Sequence, residues 1–155
     1  MGDLAYPLKI RAHHLLCLLG FRGLGYSDEF VAKMGKVAKE LHSNSTLPIT
    51  VLAECDAICA SCPYNRDNQC RKKRGSESRV RKKDLEVLRR LGLVAGEQLP
   101  VARAWSRVRG KVTAQDLTEI CRECEWLGLG YCAKGLVRLR SEQKEKYGKD
   151  SIRRH

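Results

Sequence analysis

The sequence predicts a mainly α protein, a small helical domain with a short strand and two cysteine-rich metal-binding loops. Three observations predict it. Apolar residues recur at helical spacing in several segments, whereas a β-branched run occurs once, at Pro48–Ala53. Most of the eight cysteines crowd into two clusters. The loops that carry those clusters are long for such a domain and need something to pin them. At 155 residues the chain reads as a single domain over 1–155, ending in a basic tail.

From Lys9 to Gly20 the pattern is helical and sets His13, His14 and Cys17 on one face by i, i+3 and i, i+4 spacing. Gly23-Leu24-Gly25-Tyr26 ends that segment. Ser27 suits an N-cap, with Asp28 and Glu29 at the positive end of the dipole. The helix it opens runs to Leu41 and buries Phe30, Met34, Val37 and Leu41. After the strand come a four-cysteine loop, Cys55 to Cys70, and basic runs at 71–74 and 79–83. Asp84–Leu91 is a short amphipathic helix closed by Gly92. Pro100 fits the first turn of a helix through Val101, Trp105 and Val108. Thr113-Ala114-Gln115-Asp116 resembles a capping box and starts a helix that delivers Cys121 and Cys124. From Gly135 a last, highly charged helix leads into the tail.

The chemistry sits in a repeat. Ile58-Cys59-Ala60-Ser61-Cys62-Pro63-Tyr64 is followed by Cys70, and Ile120-Cys121-Arg122-Glu123-Cys124-Glu125-Trp126 by Cys132. Both segments, within 55–70 and 117–132, are Cys-x2-Cys-x7-Cys with Ile before the first cysteine and an aromatic two residues after the second. Two such triads in register point to two related metal half-sites. Soft thiolates select zinc, copper(I) or iron–sulfur clusters. Each triad is one ligand short of a closed four-ligand site. Cys17 is the favoured donor, since it shares a helical face with His13 and His14, which either ligate or orient the site. Cys55 ranks below it, because the repeat places Leu117 at its counterpart. Pro63 after Cys62 resembles the Cys-Pro close of ferredoxin-type runs, so spacing favours iron–sulfur over zinc by a narrow margin.

Composition narrows the setting. Charged residues are 31 % of the chain, and the longest apolar run, Leu15–Phe21, is far short of the about 20 residues a spanning helix needs. No membrane role is expected. With no cleavage site after that run, clustered cysteines in a cytoplasmic, reducing compartment read as metal ligands rather than disulfides. The net charge is +12, and Arg71 to Lys111 holds 14 Lys or Arg against four acids. The default for such a run is a solvated face, part of it offsetting anionic metal centres. Few aromatics interleave it, so nucleic acid is not the favoured partner; any such binding is expected to be weak and strongly salt-dependent.

His13-His14-Leu15-Leu16-Cys17, Phe21-Arg22-Gly23, Gly25-Tyr26-Ser27, Asp56-Ala57-Ile58-Cys59 and Cys62-Pro63 together resemble the domain-of-unknown-function family 1284. Cys121, Cys124-Glu125-Trp126 and Cys132 are similar to that family's C-terminal motif. These small bacterial and archaeal proteins are regarded as iron–sulfur binders. The resemblance implies a cluster, of 4Fe-4S type, one or two in number, on Cys17, Cys59, Cys62, Cys70, Cys121, Cys124 and Cys132, with His13 and His14 beside them. The expected function is redox or sensing, with a redox protein as partner. A zinc-stabilised structural or nucleic-acid-binding module is the alternative. A cluster-dependent enzyme ranks lower: Cys55-x3-Cys59-x2-Cys62 matches radical S-adenosylmethionine spacing, but Ser61 replaces the usual aromatic and the strands of that fold are missing from the pattern.

Overall fold

The computed structural model describes residues 6–23, 25–121 and 130–141. The chain is mainly α with a few short strands. In order it forms β1 (Leu8–Arg11), α1 (Ala12–Gly20), α2 (Asp28–Ser43), β2 (Pro48–Leu52), a 3-10 turn (Cys59–Ser61), β3 (Asn65–Arg66) and β4 (Gln69–Cys70). Then come α3 (Ser76–Leu91), β5 (Gln98–Pro100), α4 (Val101–Lys111), α5 (Ala114–Ile120) and a last helix, α6, over 131–141.

A three-stranded sheet lies under the helices in the order β1-β2-β5. β1 runs parallel to β2, pairing Leu8 with Ile49 and Ile10 with Val51; β5 is antiparallel, pairing Leu99 with Ile49. Here the structure departs from the sequence pattern. The segment from Lys9 is not helical from its start, because Leu8 and Ile10 are fully buried against β2. Four residues of alternation are too few to declare a strand; the pairing decides it. The same holds for β5, so β2 is not the lone strand. Pro100 closes β5 and caps α4 instead of occupying its first turn.

α3 starts at Ser76, well before Asp84. Gly75 supplies a left-handed backbone at φ 74, and the basic run at 79–83 is carried on a helix. Lys and Arg are good helix formers, so a charge run does not break one. α6 likewise begins before Gly135, and the tail beyond 141 lies outside the described residues. The α2 expectation holds: Ser27 Oγ accepts from the Phe30 N–H at 3.1 Å, and Phe30, Met34, Val37 and Leu41 are buried. So does the Thr113–Asp116 capping box of α5.

Two glycines set how closely α1 and α6 meet. A Cβ at Gly20 would overlap the Tyr131–Cys132 backbone, and one at Gly135 would overlap the Leu19 carbonyl. Backbone cannot yield as a flexible side chain can. Gly135→Ala is therefore expected to cost about 1–3 kcal/mol by overpacking, measured as a lower urea midpoint at unchanged slope.

Candidate metal centre

The site grows from the junction of β1 and α1. Arg11 ends the strand, and its backbone N–H donates to Asp56 Oδ2 at 2.8 Å. Asp56 Oδ1 accepts the Cys59 N–H at 2.9 Å, which fixes the start of the 3-10 turn. Cys62 closes that turn with its N–H on the Cys59 carbonyl at 3.0 Å. The β3–β4 hairpin then folds back through Asp67 and Asn68, both at positive φ as a two-residue turn requires. Asn65 Nδ2 donates to the Cys59 carbonyl at 2.9 Å, and the Cys70 N–H to Glu77 Oε1 at 2.9 Å. The first cysteine triad is thus positioned largely by bonds to its backbone.

α1 adds the histidines and Cys17. His14 Nδ1 lies 2.7 Å from Asp56 Oδ2, and His13 Nδ1 lies 2.7 Å from Asp84 Oδ1. Burial and the His14 ring push His13 down to about 4, against the pull of Asp84, so it is neutral at pH 7. Burial alone would raise Asp56, yet the His14 ring and the backbone donors Cys59 and Arg11 hold it down at about 2. With Nδ1–H given to a carboxylate, each ring keeps Nε2 for other partners, the arrangement seen in metal-ligating histidines.

Arg11 is the hub behind these groups. Its side chain is 1 % exposed, with Nε on Asp84 Oδ2 at 2.7 Å and Nη2 on Glu77 Oε2 at 3.1 Å. Nη1 reaches two sulfurs, Cys55 Sγ at 3.7 Å and Cys59 Sγ at 3.8 Å. Burial works against the guanidinium charge, but Asp84 and Glu77 outweigh it and raise its pKa. Burial also pushes the Cys55, Cys59 and Cys62 thiols above their ordinary range, so a metal taken up there displaces protons.

All of this surrounds one cavity of about 710 Å³. Cys17, Cys55, Cys59, Cys62, Cys70 and Cys121 line it, together with His13 and His14. Cys55, disfavoured by the repeat, is therefore beside the others. Cys121, from the second triad, opens onto the same space as the first. Cys132 does not line it; it lies where α6 meets the end of α1. Cys124 falls outside the described residues. The two triads also differ locally, Cys70 ending a hairpin and Cys132 standing in a helix. Nitrogen, oxygen and sulfur atoms of His14, Asp56 and Cys59 lie within 4.8 Å of one another. Asp56 is already committed to three donors there, so it serves as a support for the other two.

The residues matched by the family described as Protein of unknown function (DUF1284) run from 25 to 130. The chain belongs to this family. The DUF1284 match takes in the cysteines from Cys55 to Cys124 and starts after Cys17 and the two histidines. No curated protein and no solved structure matches the chain. Among the described residues, no helix is long and apolar enough to cross a membrane.

Sequence reasoning missed Arg11, Asp56, Glu77 and Asp84 as parts of the site. Two signals point to Arg11 and Asp84: a lone arginine between Ile10 and Ala12, and a single aspartate closing the run Arg79-Val80-Arg81-Lys82-Lys83.

The depressed His13 and Asp56 values contribute to the loss of stability of the metal-free protein in acid. An unfolded histidine protonates near about 6.5; folded His13 does so only at about 4. The stabilisation is complete above the higher value and is lost as pH falls between the two. Asp56 adds a second loss as pH falls from the unfolded carboxylate range towards about 2. Urea unfolding from pH 8 to 3 is expected to show the first limb, and His13→Gln to remove it.

Proposed function

We propose that the cavity holds an iron–sulfur cluster, of 4Fe-4S type, and that the protein transfers or senses electrons. The observation that carries this is the convergence of six cysteines and two carboxylate-oriented histidines on one space. A closed tetrahedral zinc site uses four ligands and is compact. Six sulfurs around about 710 Å³ exceed that need and suit a multi-iron cluster. The ligands are drawn from Cys17, Cys59, Cys62, Cys70 and Cys121, with Cys55 now an equal candidate; Cys124 and Cys132 serve a second cluster if one is present. Such a cluster supplies one-electron redox chemistry when bound. Arg11 offsets thiolate charge from within the wall, and Asp56 and Asp84 hold the histidine rings in place. A cytoplasmic setting and a redox partner protein complete the proposal.

The experiment is an anaerobic visible spectrum with iron, sulfide and zinc counted on the same sample. Brown protein with broad absorption, bleached by dithionite, is expected. Cys17→Ala is expected to lose iron or alter that spectrum; an unchanged spectrum at full occupancy would remove Cys17 from the ligand set. Colourless protein with stoichiometric zinc, refusing iron and sulfide, would overturn the cluster.

A further inference from the structure

The cavity has a second wall unlike the first. Tyr26 packs on Phe30 at 5.2 Å and edge-on to Tyr64 at 5.1 Å, and Lys72 Nζ lies 4.4 Å from the Tyr26 ring centre. Lys73, Arg79 and Lys83, from α3 and the turn before it, also line the space. None of these three pairs with a carboxylate among the described residues; Arg79 donates only to the Arg74 carbonyl, at 2.8 Å. The acids of the region, Asp56, Glu77 and Asp84, stand behind the lining and are spent on Arg11, the histidines and backbone N–H groups. Among the described residues, no carboxylate lines the cavity. The described lining is therefore positive wherever thiolates do not answer it.

Its size fits a second occupant. Small-molecule pockets run to about 300–1,000 Å³, and this one is about 710 Å³. A cluster of four irons and four sulfides fills only part of that. We propose that the aromatic and lysine part of this lining binds a small organic anion, a phosphate or carboxylate on an aromatic body, beside the metal centre. Lys73 and Lys83 meet the charge; Tyr64 and Phe30 meet the ring. The neighbouring centre is the one proposed above, but these contacts come from residues outside its ligand set.

The test is calorimetric titration of the full, as-purified chain with phenyl phosphate, benzoate, phenol and inorganic phosphate at fixed ionic strength, with iron and sulfide counted on each sample. One saturable site is expected for phenyl phosphate or benzoate, the tighter of the two naming the head group. Phenol and inorganic phosphate should each bind about tenfold or more weakly, the loss of one charge-assisted contact or of the ring. Lys73→Gln combined with Lys83→Gln should weaken the organic anion by about tenfold or more at unchanged iron content. Equal binding of phenol, indifference to the lysine pair, or no saturable site would overturn the proposal. A lysine-dependent site on protein without iron and sulfide would refute the cluster and leave the anion site standing. An iron-loaded sample without the site would do the reverse.

Discussion

Asp84→Ala is expected to lower the unfolding free energy by about 3–5 kcal/mol, the usual effect of stripping one partner from a buried ion pair. Asp84 is fully buried and accepts three bonds: Arg11 Nε at 2.7 Å, the His13 N–H at 3.0 Å and the His13 ring at 2.7 Å. Without it, Glu77, which is 24 % exposed and shared with Cys70, is the one carboxylate left on the guanidinium among the described residues. Desolvation then falls on a cation that cannot shed its proton. Urea unfolding measures the loss, and a value below about 1 kcal/mol would show that water replaces the carboxylate. Replacing both partners, Arg11→Met with Asp84→Leu, should cost less than Asp84→Ala alone, since no buried charge is left unpaired.

Cys121→Ser is expected to alter the spectrum of the same centre that Cys59→Ser alters. The motif repeat assigns these residues to separate half-sites, yet both line one cavity. If they serve one cluster, each variant loses most of the iron or shifts the whole absorption envelope. If they serve two, each leaves half the iron with its spectrum intact. Serine is close in size to cysteine but a poor ligand for soft metals, so packing changes little while ligation is lost. Iron counts and anaerobic spectra of the two variants, taken against Cys132→Ser, separate the outcomes. Because Cys132 is not in the cavity lining, its variant is expected to leave the Cys59 centre unchanged.

The cysteine clusters were legible because the Cys-x2-Cys-x7-Cys spacing is short and is read directly from the chain. The helices from Asp28 and Ala114 were legible for a similar reason: caps and apolar periodicity act within one or two turns. The hub at Arg11 was not. Its partners Asp56, Glu77 and Asp84 stand 45, 66 and 73 residues away, and nothing local to Arg11 specifies them. β1 and β5 were missed on the same ground, since each is stabilised by β2 and hardly by its own residues.

By itself, then, the sequence determined the helical class, the two cysteine clusters and the placing of His13 and His14 on one turn. Each of these rests on interactions within a few residues. Only the tertiary structure decided that Cys121 shares a cavity with the first triad, that Cys55 lies beside them and that Cys132 is not part of that lining. It also decided that each histidine is held by its own buried carboxylate. Those outcomes depend on how α1, α3 and the Cys59 turn pack together. Packing is a balance of buried area and paired charge summed over the whole chain, and no local spacing records it.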